Sequence, residues 1–204
     1  MMPSNENKAF VRLLNASPNT PAVDITVNEV LIADNLAFKS FTEYMPAEAG
    51  VYRIHVTPNG LNSELSATEL VELMPGGIYT MAVAGLETDL TIELIDDELR
   101  AKPNGRAFVR FINLSPYDTE FDVMIGNAPV VTALAYTESS RYTPLQAGTY
   151  SLRLFNSRDN RLVLTNPHMQ VQNGHFYAVY IVGLEAGSPP LQVLIPLEGA
   201  TYLR

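Results

Sequence analysis

The feature that most constrains this chain is an internal duplication. Laid over one another at an offset of 98, residues 9–18 (AFVRLLNASP) and residues 107–116 (AFVRFINLSP) agree at seven of ten positions. The ungapped match runs on to Glu87 and Glu185, giving 21 identities in 79 aligned positions. They include Asp24/Asp122, Tyr44/Tyr142, Pro46/Pro144, Gly50/Gly148, Tyr52/Tyr150 and Gly85-Leu86-Glu87/Gly183-Leu184-Glu185, mostly turn formers and strand aromatics rather than residues of catalytic type. A repeat of about 98 residues is the size of one independently folding unit.

Two domains therefore follow from 204 residues: a short disordered tail at 1–8, repeat 1 at 9–100, a linker at 101–105 where Lys102, Pro103, Asn104 and Gly105 break regular structure, and repeat 2 at 106–204. With 47% hydrophobic and 17% charged residues, the chain can bury two cores. It contains no cysteine, so disulfides, thiol nucleophiles and thiolate metal sites are excluded. The first eight residues lack the basic end and apolar run of a signal peptide, and no apolar stretch is long enough to cross a bilayer, so membrane insertion is not expected.

Inside each repeat the hydrophobic period is two. Val23, Ile25 and Val27 alternate with Asp24, Thr26 and Asn28, and in the second copy Phe121, Val123 and Ile125 alternate with Asp122, Met124 and Gly126. Tyr52, Ile54 and Val56 form a further alternating set, as do Tyr79, Met81 and Val83. Turn residues fall between these runs, at Ser17-Pro18, Asn28-Glu29, Ala49-Gly50, Pro58-Asn59-Gly60 and Pro75-Gly76-Gly77. Seven or eight short strands per repeat without an amphipathic helix predict an all-β protein. The expected architecture is two tandem antiparallel β-sandwiches of Greek-key, immunoglobulin- or transthyretin-like type, with a closed barrel as the alternative.

Charge and aromatics are divided unequally between the copies. Residues 1–102 carry 6 Lys/Arg against 15 Asp/Glu, a net −9, whereas residues 103–204 carry 7 against 7. Aromatics number 6 in the first stretch and 12 in the second, among them Tyr117, Phe121, Phe176, Tyr177 and Tyr180. Either the extra rings make a contact that repeat 1 does not, or they fill a different core. No basic stripe opposes the negative field, which argues against a nucleic-acid partner.

Few residues carry chemistry in both copies. Asn15, Ser17 and Pro18 match Asn113, Ser115 and Pro116, but a serine nucleophile needs a base within hydrogen-bond reach, and His55, His168 and His175 align with Arg153, Leu70 and Gly77. An Asx or Ser turn before proline accounts for the motif, and for the glycosylation sequons it incidentally spells. Arg12/Arg110 and Asp24/Asp122 would form a cross-strand ion pair if their strands were neighbours. A calcium site is the alternative use of Asp24 or Glu87, with Asp89, Asp96, Asp97 and Glu98 as further oxygen ligands in repeat 1, but no EF-hand or tandem Asp motif supports it. Catalytic, cofactor and metal residues are thus expected to be absent.

Residues 15–27 (NASPNTPAVDITV), followed by 49–56 (AGVYRIHV) and 76–85 (GGIYTMAVAG), resemble the family known as domain of unknown function 4397. Both copies carry Asn where that family often has His, and the second departs further at Leu114 and at residues 117–121. The resemblance implies a β-sandwich found mainly in bacterial secreted or surface proteins. The reading that results is a non-catalytic structural or protein-interaction module, extracellular or in a cell envelope or spore surface, with a protein or cell-wall polymer as partner. The alternative is a carbohydrate-binding module in which Tyr117, Tyr136 and Tyr180 stack on sugar faces.

Overall fold

The structure, a computed structural model, describes residues 7–60, 65–97, 105–117 and 119–203. Most of the expected tail (1–6) and linker (101–104), and Glu98 among the considered calcium ligands, lie outside the described residues. The chain divides into two compact units, Met1–Arg100 and Ala101–Arg204.

Unit 1 contains eight strands: β1 (Lys8–Asn15), β2 (Val23–Val27), β3 (Val30–Leu36), β4 (Met45–Glu48), β5 (Gly50–Pro58), β6 (Ala67–Leu73), β7 (Ile78–Leu86) and β8 (Asp89–Asp96). They form two four-stranded sheets, ordered β4-β1-β7-β8 and β3-β2-β5-β6. Unit 2 repeats the plan with β9 (Ala107–Asn113), β10 (Phe121–Ile125), β11 (Ala128–Leu134), β12 (Thr143–Leu145), β13 (Gly148–Asn156), β14 (Leu162–Val171), β15 (Phe176–Val182) and β16 (Gln192–Leu194), in sheets β12-β9-β15-β16 and β11-β10-β13-β14. The fold is a tandem all-β sandwich, and neither unit is a closed barrel.

Every ladder is antiparallel except one in each unit, where β1 runs parallel to β7 and β9 to β15. An alternating hydrophobic pattern fixes which side chains share a face but not the direction of the neighbouring strand, so this pairing was not expected. The inner faces meet as the alternation requires. Val23, Ile25, Ile54, Val56, Tyr79, Met81 and Val83 belong to one core in unit 1, and Phe121, Val123, Ile125, Leu152, Leu154, Tyr177, Val179 and Ile181 to one in unit 2.

β7 is buried along nearly its whole length on both faces, and so is β15. Continuous apolar sequence is the signature of such a strand. The offset of 98 also breaks here: Ala82 pairs with Glu93 in unit 1, but Tyr180 pairs with Leu194 in unit 2, so the last strand of unit 2 is displaced by three residues, to an offset of 101.

Candidate functional site

The repeated Asn-x-Ser-Pro motif is a clasp between the two sheets. Asn15 ends β1, is wholly buried, and donates from Nδ2 to the Leu36 carbonyl at the end of β3 in the other sheet (2.9 Å), while its Oδ1 accepts the Ser17 N–H (3.1 Å). Ser17 Oγ then donates to the Gly85 carbonyl on β7 (2.8 Å). Asn113 and Ser115 repeat each bond with Leu134 and Gly183 at 3.1, 3.0 and 2.8 Å. The serine hydroxyls are thus structural, and burial of both Asn side chains closes the sequons to glycosylation in the folded protein. Gly85 and Gly183 have φ of +83° and +88°, and a Cβ on either would collide with a backbone carbonyl, of Asp89 or Pro190. That steric demand explains the repeated Gly-Leu-Glu. After Pro18 and Pro116 the chain turns through positive φ at Asn19 (62°) and Tyr117 (82°).

Arg12 and Asp24 do not meet, because β1 and β2 belong to different sheets. Asp24 Oδ1 instead accepts the N–H of Asn35, and Asp122 that of Ala133, each at 2.8 Å and each next to a register irregularity. Asn35 and Ala133 stand at φ of 54° and 51°, so the repeated aspartate satisfies the amide of a bulged, left-handed residue in the edge strand. A ladder partner is missing at such a point, and the carboxylate supplies one.

Arg12 and Arg110 lie on the outer faces of their sheets and are buried there. Arg12 Nε donates to Thr80 Oγ1 (2.9 Å), and its guanidinium lies 4.8 Å from the Phe41 ring and 4.7 Å from Tyr44. The Tyr44 hydroxyl donates to Asp97, which is fully buried (2.5 Å). In unit 2 Arg110 pairs with the equally buried Glu198 at 2.5 Å and lies 5.3 Å from the Tyr142 ring, whose hydroxyl donates to the same carboxylate. Burial first, and then the negative charge of Asp97, push the Tyr44 phenol far above its ordinary range. Asp97 and Glu198 are 101 residues apart, so alignment at 98 hid this shared cluster. The carboxylates are committed to these buried contacts. Asp24 is likewise engaged, Glu185 pairs with Arg161 and Asn156, and among the described residues no group of three His, Asp or Glu side chains is placed to hold a metal.

Of the three tyrosines considered for sugar stacking, Tyr117 is 58% exposed, Tyr136 is half-buried, and Tyr180 is fully buried. Tyr180 is wholly buried on the same outer sheet face as Arg110, opposite Ile112, and offers no platform. Phe121 is fully buried in the core of unit 2, and Phe176, also fully buried, packs against Phe108 and Tyr142 on the other face of β15.

Most of the exposed aliphatic surface among the described residues is on unit 1, with Leu162 exposed on unit 2. Val30, Leu31 and Ile32 on the edge strand β3 are 60%, 53% and 41% exposed, and Val51 and Leu70 are 62% and 66% exposed. Val51, Arg53 and Leu70 line one shallow depression on the face of this sheet together with Asn28 and Glu29. The matched positions of unit 2 are Ala128, Pro129, Val130, Thr149 and His168, smaller or more polar at all five. Sequence reasoning missed this surface because it looked for aromatics. The signal was in the alignment: aliphatic residues in one copy opposite Pro, Thr and His in the other.

A family model described as "Domain of unknown function (DUF4397)" matches residues 9–119 and again 107–200. No curated protein matches the chain. Among solved structures, the fimbrial anchor protein Mfa2 from Porphyromonas gingivalis is similar at 10% identity, with 94% of this chain and 98% of that chain covered and a TM-score of 0.27. A leucine-rich repeat protein from Bacteroides thetaiotaomicron is similar at 14% identity and a TM-score of 0.22; 84% of this chain spans only 25% of it. Both scores are too low to establish a common topology.

Proposed function

The chain belongs to the DUF4397 family, in two tandem copies, and from that premise we propose that it is a non-catalytic protein-interaction module whose contact surface is the β3 edge of unit 1. Its setting is a bacterial cell envelope or spore surface, the context that the family resemblance implies. The observation that carries the reading is an aliphatic edge strand with no proline, in the copy that holds all the net negative charge. Leu31 pairs with Thr26 in the same register in which Pro129 pairs with Met124. Proline has no N–H, so that position of the ladder uses none toward β10, and by the same register the Leu31 N–H points away from β2. An open row of such groups is a template for an added strand. The occupant is an extended segment of another protein with apolar residues alternating with basic ones, since repeat 1 carries 15 acidic against 6 basic residues over positions 1–102. A second copy of this chain would bring Glu29 and Asp34 of two β3 strands together, and like charge opposes it.

Leu31→Pro tests the proposal because unit 2 already tolerates proline there. Phage-displayed random peptides are selected on the full chain. The expected result is enrichment of basic, alternating apolar peptides whose binding is lost in Leu31→Pro at unchanged melting temperature. Peptides that bind the variant equally well would move the contact elsewhere. A glycan array run in parallel tests carbohydrate binding through Tyr117 and Tyr136; saturable binding lost in Tyr117→Ala would replace the protein-interaction reading.

A further inference from the structure

Unit 1 contains a cavity of about 310 Å³ between its two sheets. Its walls come from both, with Val11, Leu13 and Met81 on one side and Ile54, Val71 and Tyr52 on the other. Every lining side chain is apolar except for the tyrosine hydroxyl, and that hydroxyl already donates to the Glu48 carbonyl (2.7 Å). The exposed residues of the lining are Ile32 on β3 and Pro46 on β4, so the mouth lies between those two edge strands.

The second copy carries larger side chains at two of these positions. Leu13 and Ala47 of the lining correspond to Phe111 and Leu145, which adds three heavy atoms at each position and six in all. At the other lining positions the two units differ by no more than one heavy atom, four smaller and two larger in unit 2, so unit 2 gains four over the whole lining once β8 and β16 are matched at the offset of 101. Phe111 is fully buried in the core of unit 2, and Leu145 packs against it. The same backbone plan therefore accepts the larger residues, and the space in unit 1 does not follow from the fold. An empty apolar cavity lowers stability in proportion to its volume and holds water poorly, so a chain that keeps small side chains where its own sister repeat carries larger ones has another occupant for the space.

We propose that the inter-sheet cavity of unit 1 is a binding site for a small neutral apolar molecule, an aliphatic chain of about ten carbons, roughly twice the size of the benzene that a 150 Å³ cavity holds. Neutrality follows from the surroundings. No cationic side chain lines the cavity to receive a carboxylate, and the net −9 over residues 1–102 repels an anionic headgroup at the mouth. The site is separate from the outward N–H row of β3, and it stands or falls independently of the strand-binding surface.

The test is a methyl-resolved NMR titration of the full chain with 1-octanol, to the solubility limit of the alcohol, alongside octanoate. Saturable shifts of the Leu13 and Met81 methyl signals are expected with 1-octanol, and octanoate should bind about tenfold more weakly. The double variant Leu13→Phe/Ala47→Leu, which installs the residues of the sister repeat, should abolish the shifts and raise the melting temperature. If that pair overpacks, Ala47→Leu alone should weaken binding while leaving the fold intact. An absence of saturable shifts in the wild-type chain, or equal binding by the filled variant, overturns the site. Octanoate binding as tightly as 1-octanol overturns its preference for a neutral ligand. Leu31→Pro leaves the cavity lining untouched and should bind 1-octanol normally, which separates this outcome from that of the strand-binding experiment.

Discussion

Asn15 and Asn113 show how one residue type can hold two sheets in register. Each joins backbone groups that no ladder satisfies, so replacement leaves buried amide and carbonyl groups unpaired. Asn15→Ala should cost about 2–6 kcal/mol of unfolding free energy in a denaturant titration, because two such groups cost about 1–3 kcal/mol each. Had Ser17 served catalysis rather than this clasp, the same substitution would leave stability nearly unchanged. Tyr44 sets an alkaline limit. Its phenol is held protonated in the folded state, by burial first and by Asp97 second, whereas the unfolded phenol ionises near 10. The folded state thus keeps a proton that the unfolded state releases, and stability falls as pH rises above about 10, by up to about 1.4 kcal/mol per pH unit. Tyr44→Phe should flatten that decline while lowering stability at neutral pH; an unchanged alkaline slope would show that Tyr44 does not control it. Sequence alignment revealed Arg12 and Tyr44 but not Asp97, because the unit 2 carboxylate, Glu198, follows a last strand displaced by three residues.

At the scale of strands, the repeated Asp24 and Asp122 belong to a bulge. The edge strands β3 and β11 take a left-handed residue at Asn35 and Ala133, and only a side-chain acceptor from the neighbouring strand meets the amide there. Asp24→Ala should destabilise unit 1 by about 1–2 kcal/mol, a hydrogen bond to a charged acceptor being worth about 1.5–3 and partly replaced by water. Asn35→Gly should be neutral or stabilising, since glycine adopts that φ without strain. Equal losses from both substitutions, read by chemical denaturation, would count against the bulge. The period-two pattern located these strands but not the bulge, since a repeated Asp reads equally well as an ion-pair partner, a metal ligand or a cap. The double burial of β7 and β15 is legible in hindsight, as runs of apolar residues with hardly a polar interruption.

For the whole molecule, the two copies share a fold and differ in what their surfaces and cores expose. Unit 1 carries the charge imbalance, the aliphatic edge and the open cavity, and self-repulsion and an empty cavity both act against its stability. Calorimetry of the full chain should show two transitions, with the lower one moving up in salt as self-repulsion is screened and the upper one nearly fixed. A single salt-independent transition would count against this division. From the sequence by itself came the duplication, the β class, the placing of most strands and the absence of thiol chemistry, because these depend on residue type and on spacing along the chain. Tertiary structure alone decided that β1 and β2 lie in different sheets, that Tyr180 is buried, that Arg12 shares a buried cluster with Tyr44 and Asp97, and that Leu13 and Ala47 line an open space between the sheets of unit 1. The period of a strand fixes which side chains share a face; what lies across that face is set by strands tens of residues away, and no local pattern encodes their order.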